Sequence, residues 1–114
     1  MIITLPYPPS VNHYWIHTRR GAFISKKGVE FRKQVHEIAQ TEICYGRDTR
    51  LFVDVSVWVP DKRKRDLDNL LKSLLDALQH ADIFADDSQI DDLRITRVGW
   101  CEGGKVTVKI SEIS

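Results

Sequence analysis

The stretch Lys62-Arg63-Lys64-Arg65-Asp66-Leu67-Asp68-Asn69-Leu70-Leu71-Lys72 sets four cations against two carboxylates and ends on a lysine. Phosphodiester hydrolysis uses each of these residue types. Hard oxygen ligands hold Mg2+ through one or two carboxylates and several waters, which leaves room for a substrate phosphate. Such an ion polarises the phosphoryl oxygen, lowers the pKa of an attacking water and offsets charge on the leaving oxygen. Neighbouring Lys and Arg would hold the backbone and stabilise the additional negative charge of the transition state. A second acid pair, Asp86-Asp87, follows in the run ADDSQIDD. A structural reading uses the same residues: Asp66 sits where a helix N-cap belongs and Asp68 in the first turn, where acids satisfy free N–H groups and the helix dipole. Asp68 and Lys72, four apart, would then be an ordinary surface pair worth about 0.2–0.5 kcal/mol. Spacing alone does not separate the two readings.

These side chains need elements to position them. Residues 67–79 carry Leu67, Leu70, Leu71, Leu74, Leu75 and Leu78 at helical spacing, an apolar stripe on the best helix of the chain. Asp68 and Lys72 project from a face bordering that stripe. Residues 51–59 (LFVDVSVWV) alternate with period two and predict a strand with Leu51, Val53, Val55, Val57 and Val59 inward. Residues 93–100 and 105–110 predict two more strands around the turn Glu102-Gly103-Gly104. At the start, residues 2–5 read as a short strand stopped by Pro6, Pro8 and Pro9. Residues 10–24 read as a loop or irregular arm, with Asn12, His13, Tyr14 and Trp15 near Arg19 and Arg20. Ser25 is a candidate N-cap for a helix to about Tyr45, with Phe31, Val35, Ile38 and Glu42 on helical spacing and Gly46 as its stop. The order is β-α-β-α-β-β. It predicts a single α+β domain over residues 1–114, in two layers, with two helices on one face of a mixed sheet.

Composition agrees with one such domain. A chain of 114 residues that is 42% hydrophobic and 29% charged is an ordinary globular protein with one modest core. No apolar run approaches the roughly 20 residues of a membrane span, and the start lacks the pattern of a secretory signal. Cys44 and Cys101 match no metal-ligand spacing and make no disulfide framework, so a cytoplasmic setting is expected. The net charge of +1 hides an asymmetry. Residues 1–75 hold 13 Lys/Arg against 8 Asp/Glu, a balance of +5, and residues 76–114 hold 4 against 8, a balance of −4. Arg19, Arg20, Lys26, Lys27, Arg32, Lys33 and the 62–65 run could serve a polyanion, with acids beside them for a metal. A solvated face on a nearly neutral protein would show the same counts. His13 and His17 are four apart on no predicted helix, which argues against zinc. Ser10 and Ser88 lack a positioned base.

The opening LPYPPSVNHYW, the block VPDKRKRDLDNLLKSLLDAL and the run ADDSQIDD with its short β tail resemble the RusA family of Holliday junction resolvases. The resemblance covers nearly the whole chain. It implies a homodimeric, Mg2+-dependent endonuclease, with Mn2+ as an alternative ion and no organic cofactor, that cuts four-way DNA junctions symmetrically in recombination and repair. It also implies a phage or prophage context. The family's essential acids fall on Asp66, Asp68 and Asp87 and its essential lysine on Lys72, with Asp86 and Asn69 in support. DNA contacts are expected from Lys62, Arg63, Lys64, Arg65, Arg19, Arg20, Asn12 and Tyr14.

Two rivals remain on sequence: a non-catalytic, structure-selective DNA-binding module, and a metal-dependent nuclease for flaps or RNA. Three further negative charges weaken binding to a polyanion unless a cation sits among them, which disfavours the first. Chain length adds a constraint. From Asp68 to the helix end near His80 is roughly 18 Å at 1.5 Å per residue, and the seven steps on to Asp87 reach at most about 23–25 Å. Asp87 meets Asp68 of its own chain only if residues 81–87 run nearly straight back; otherwise a second subunit completes the site. A two-fold dimer also suits two matched cuts, and Tyr14, Trp15 and Trp58 offer apolar surface for it.

Overall fold

Leu51, Val53, Val55, Val57 and Val59 alternate with half-buried residues and make a strand whose inner face is buried, and the sheet forms around it. The computed structural model describes residues 1–40 and 44–114. Its strands are β1 (Ile2–Pro6), β2 (Trp15–Thr18), β3 (Gly21–Ile24), β4 (Leu51–Val59), β5 (Ile90–Trp100) and β6 (Lys105–Glu112). Its helices are α1 (Val11–Tyr14), α2 (Lys26–Ala39) and α3 (Asp68–His80), and a 3-10 turn spans Asp87–Gln89. The main sheet runs β1-β6-β4-β5, with β4 and β5 parallel across α3 and the other pairs antiparallel. The α+β, mixed-sheet expectation therefore holds.

Register explains the core. Val55 lies between Ile95 of β5 and Val108 of β6, and Val108 meets Ile3 of β1. Val57, Val106 and Leu5 form the next row. Phe31, Val35 and Ala39 of α2 join Leu70, Leu74, Ala77 and Leu78 of α3 in the same buried cluster as these strand residues. Full burial of each such Val or Leu contributes about 1.5–3 kcal/mol. β4 begins and ends where alternation predicts, and α3 lies within a residue of its predicted span.

Three expectations need correction. Residues 10–24 are not an irregular arm: they form the one-turn helix α1 and the hairpin β2–β3, turned at Arg19–Arg20 with Gly21 at φ 123°. The hairpin is mostly exposed, so it carries no apolar alternation for a sequence reading to detect. The first long helix does not reach Tyr45. It ends at Ala39, and Tyr45 forms a parallel bridge with Phe84, its N–H donating to the Ile83 carbonyl at 2.7 Å. Glu42 lies outside the described residues. Ser25 does cap α2, accepting from the Gly28 N–H at 3.0 Å. Gly28 is needed there, because a Cβ would lie 2.7 Å from the Tyr14 carbonyl oxygen. Lastly, Asp66 is not the N-cap of α3. That position falls to Leu67, in helical dihedrals and with no side-chain capping bond.

Candidate active site

The missing cap leaves carboxylates free at the start of α3. Among the described residues, the Asp66, Asp68 and Lys72 side chains make no hydrogen bond and no ion pair within 4.0 Å, although all three are exposed. The surface-pair reading of Asp68 with Lys72 is therefore not realised. The two acids differ in one respect, since Asp66 precedes α3 and Asp68 is its first residue. Asp66 lines a cleft of about 980 Å³ with Asn69, Lys64 and Arg65, while Asp68 and Lys72 lie outside it.

Asp68, Lys72 and Gln79 fall within about 40° of one another on the α3 wheel, so they share one solvent-facing stripe. Gln79 accepts the Asp87 backbone N–H at its Oε1, at 3.0 Å. Asp87 is thereby docked near the far end of α3, and the rise from Asp68 to Gln79 is roughly 16 Å. Residues 81–87 do not run straight back. Consistently, no group of three His, Cys, Asp or Glu side chains among the described residues of one chain could hold a metal ion.

The Asp86–Asp87 turn is built with care. Asp86 accepts the Ser88 N–H at 2.9 Å, which holds its carboxyl below the usual range, helped by the neighbouring Asp87 carboxyl. Partial desolvation raises Asp87, and the carboxylates of Asp86 and Asp76 raise it further. Gln89, 1% exposed, fixes the turn with four bonds. Its Oε1 accepts from Ala85 N (2.9 Å) and Asp86 N (3.0 Å), and its Nε2 donates to the carbonyls of Gly46 (2.7 Å) and Thr49 (3.0 Å). Sequence reasoning missed both glutamines. The signal was present for one of them, since Asp86-Asp87-Ser88-Gln89 has capping-box spacing.

The predicted DNA contacts divide. Arg19, Arg20, Asn12, Lys62, Arg63 and Lys64 are exposed. Arg63 and Arg65 share the Asp61 carboxylate, at 3.0 and 2.9 Å, and Lys62 lies 5.8 Å from the Trp100 ring centre. Tyr14 is a correction: its side chain is 0% exposed, its hydroxyl donates to Asp76 and it accepts from Arg32 Nε at 2.8 Å. It is a core residue that cannot stack on a base. Arg32 pairs with Asp76 at 2.8 Å, so it ties α2 to α3 rather than serving a polyanion.

Asp66 and Asp68 offer the hard oxygen donors a divalent cation takes, but within one chain they and the Asp86–Asp87 turn do not gather into a three-ligand group among the described residues. No helix among the described residues is long and apolar enough to cross a membrane. The sequence matches the family model described as Endodeoxyribonuclease RusA over residues 6–111. A crossover junction endodeoxyribonuclease of Enterobacteria phage HK97 is 47% identical over 112 residues, covering 96% of this chain and 92% of that protein. Namesakes from Shigella sonnei and Enterobacteria phage 82 are each 37% identical over 112 residues, covering 97% of this chain and 93% of each relative. With the fold, the acid pairs and the basic run in the places described, the chain belongs to the RusA family of endodeoxyribonucleases.

Proposed function

We propose that this protein is a crossover junction endodeoxyribonuclease that resolves four-way DNA junctions by paired, symmetric cuts, using Mg2+ held by carboxylates and acting as a homodimer. One observation carries the reading: Asp66 and Asp68 stand uncapped and unpaired immediately after four cations. A purely structural helix start would cap itself with Asp66 instead of leaving that position to Leu67. Asp66 and Asp68 would hold the ion with Asp87, and the bound ion would activate water and stabilise charge at the phosphate. Lys72, one turn beyond Asp68, would set its ammonium beside the scissile phosphate and stabilise developing negative charge there. Lys62, Lys64, Arg19 and Arg20 hold the DNA arms.

The docking of Asp87 on Gln79 supports a site shared between subunits. A two-fold copy packing α3 antiparallel on α3 would set the Asp68 end of one helix beside the Asp87 end of the other. Such an interface is isologous, so it makes two identical sites at once, as two matched cuts demand.

The test is a labelled four-way junction, a duplex and a flap, each incubated with Mg2+ or with EDTA. Paired cuts in the junction with Mg2+ alone are expected. A junction bound but never cut would make the protein a binding module, and equal cutting of the flap would make it a less selective nuclease.

A further inference from the structure

Beyond Asp66 and Lys64, the cleft that these two residues line has no role in holding the ion or the DNA arms. It runs between the first three turns of α2 and the segment entering α3. Phe31 and Leu70, nearly fully buried, form its floor, and the half-buried ring of Tyr7 forms part of its wall. Lys26, Lys27 and Lys64 stand exposed on its rim, and none has an ion-pair partner among the described residues. Glu30 shares the rim one turn from Lys26 without pairing to it. A partly exposed ring, Tyr7, beside unpaired cations is the pattern of a single-strand groove, where a ring meets bases or sugars and cations follow the backbone, with buried Phe31 and Leu70 only backing it.

We infer that this cleft binds the unpaired DNA strand adjoining the scissile phosphate, with Lys26 and Lys27 of α2 as its phosphate contacts. This deepens the nuclease reading and rests on it. Asp66 lies on the cleft wall, so a strand seated there passes from the cleft directly to the acid. Lys26 and Lys27 lie outside the 62–65 run, and Ser25 caps α2 through its own side chain, so both lysines can be changed without disturbing the helix start.

The experiment measures binding of a short oligothymidine strand in EDTA across a salt series, for wild type, Lys26→Ala/Lys27→Ala and the control Lys109→Ala on β6. The double variant should bind several-fold more weakly, and its slope of log affinity against log salt should fall by about 1.4, at about 0.7 per single-strand contact. Lys109→Ala should behave as wild type. In parallel, photocrosslinking with a bromodeoxyuridine strand should label the peptide that holds Tyr7. Unchanged affinity and slope in a double variant that melts like wild type would overturn the cleft assignment, as would crosslinks confined to the β2–β3 hairpin. Junction cleavage by wild type in Mg2+ is scored separately, so the cleft can fail while the nuclease stands.

Discussion

Replacing Lys62, Arg63, Lys64 and Arg65 together by alanine tests whether the basic run lies on DNA, and the structure sets the size of the effect. Four independent phosphate contacts would lower the slope of log affinity against log salt by about 3.6, at about 0.9 per contact. The run is not four independent cations. Arg63 and Arg65 both donate to Asp61, at 3.0 and 2.9 Å, so one carboxylate already offsets one of their charges. The run with Asp61 presents +3, which predicts a fall of about 2.7. Asp61→Asn should do the opposite. It frees both guanidiniums and should steepen the slope by about 0.9. Anisotropy of a labelled junction in EDTA, between about 50 and 200 mM salt, reads both changes without cleavage. An unchanged slope in the quadruple variant would remove the run from the interface. A fall near 3.6 together with no effect of Asp61→Asn would refute the role given to Asp61.

Asp68→Asn should abolish cleavage while leaving junction binding intact or slightly tighter, since repulsion from phosphate is relieved; cutting at the wild-type rate would sink the assignment. Mixed after partial unfolding, Asp68→Asn and Asp87→Asn chains should recover nicking if the site is shared, because one composite site then carries both lesions and the other none. A mixture that stays dead, with heterodimers confirmed, would refute sharing. Gln89→Leu strands two N–H groups and two carbonyls at about 1–3 kcal/mol each before any water enters, so a loss of about 3 kcal/mol or more is expected in urea unfolding; a loss under about 1 kcal/mol would show the network to be dispensable. Arg65, with Arg63, holds the Asp61 carboxyl far below its usual value, and Arg50 lowers Asp91. Folded-state values below the unfolded ones mean stabilisation present above about pH 4 and lost as pH falls through the folded values. The thermal midpoint should therefore drop below pH 4, and Asp61→Asn should flatten that drop.

What the sequence made legible, and what it did not, follows from how each element is held. β4 and α3 bury one continuous apolar face each, so periodicity alone finds them to within a residue. The β2–β3 hairpin is mostly exposed and left no such trace. The predicted end of α2 at Tyr45 fails because Tyr45 bridges Phe84 in extended form and its hydroxyl donates to the Ile110 carbonyl of β6, contacts that helical spacing does not encode. The candidate site shows the same division more sharply. Its residue types were readable, while its geometry depended on tertiary contacts: Gln79 holding Asp87, and Leu67 packed against the core at the cap of α3. Sequence rules assign that cap to Asp66, and a good cap is worth about 0.5–2 kcal/mol. The fold forgoes it. Local rules are broken where function takes precedence, and here the breach leaves Asp66 without the capping role its position offers, while Asp68, though it suits the helix dipole in the first turn, makes no side-chain bond beside four cations. A helix start built for stability alone would have set Asp66 as its cap, so the unused cap is itself an argument that this carboxylate serves a ligand from outside the chain.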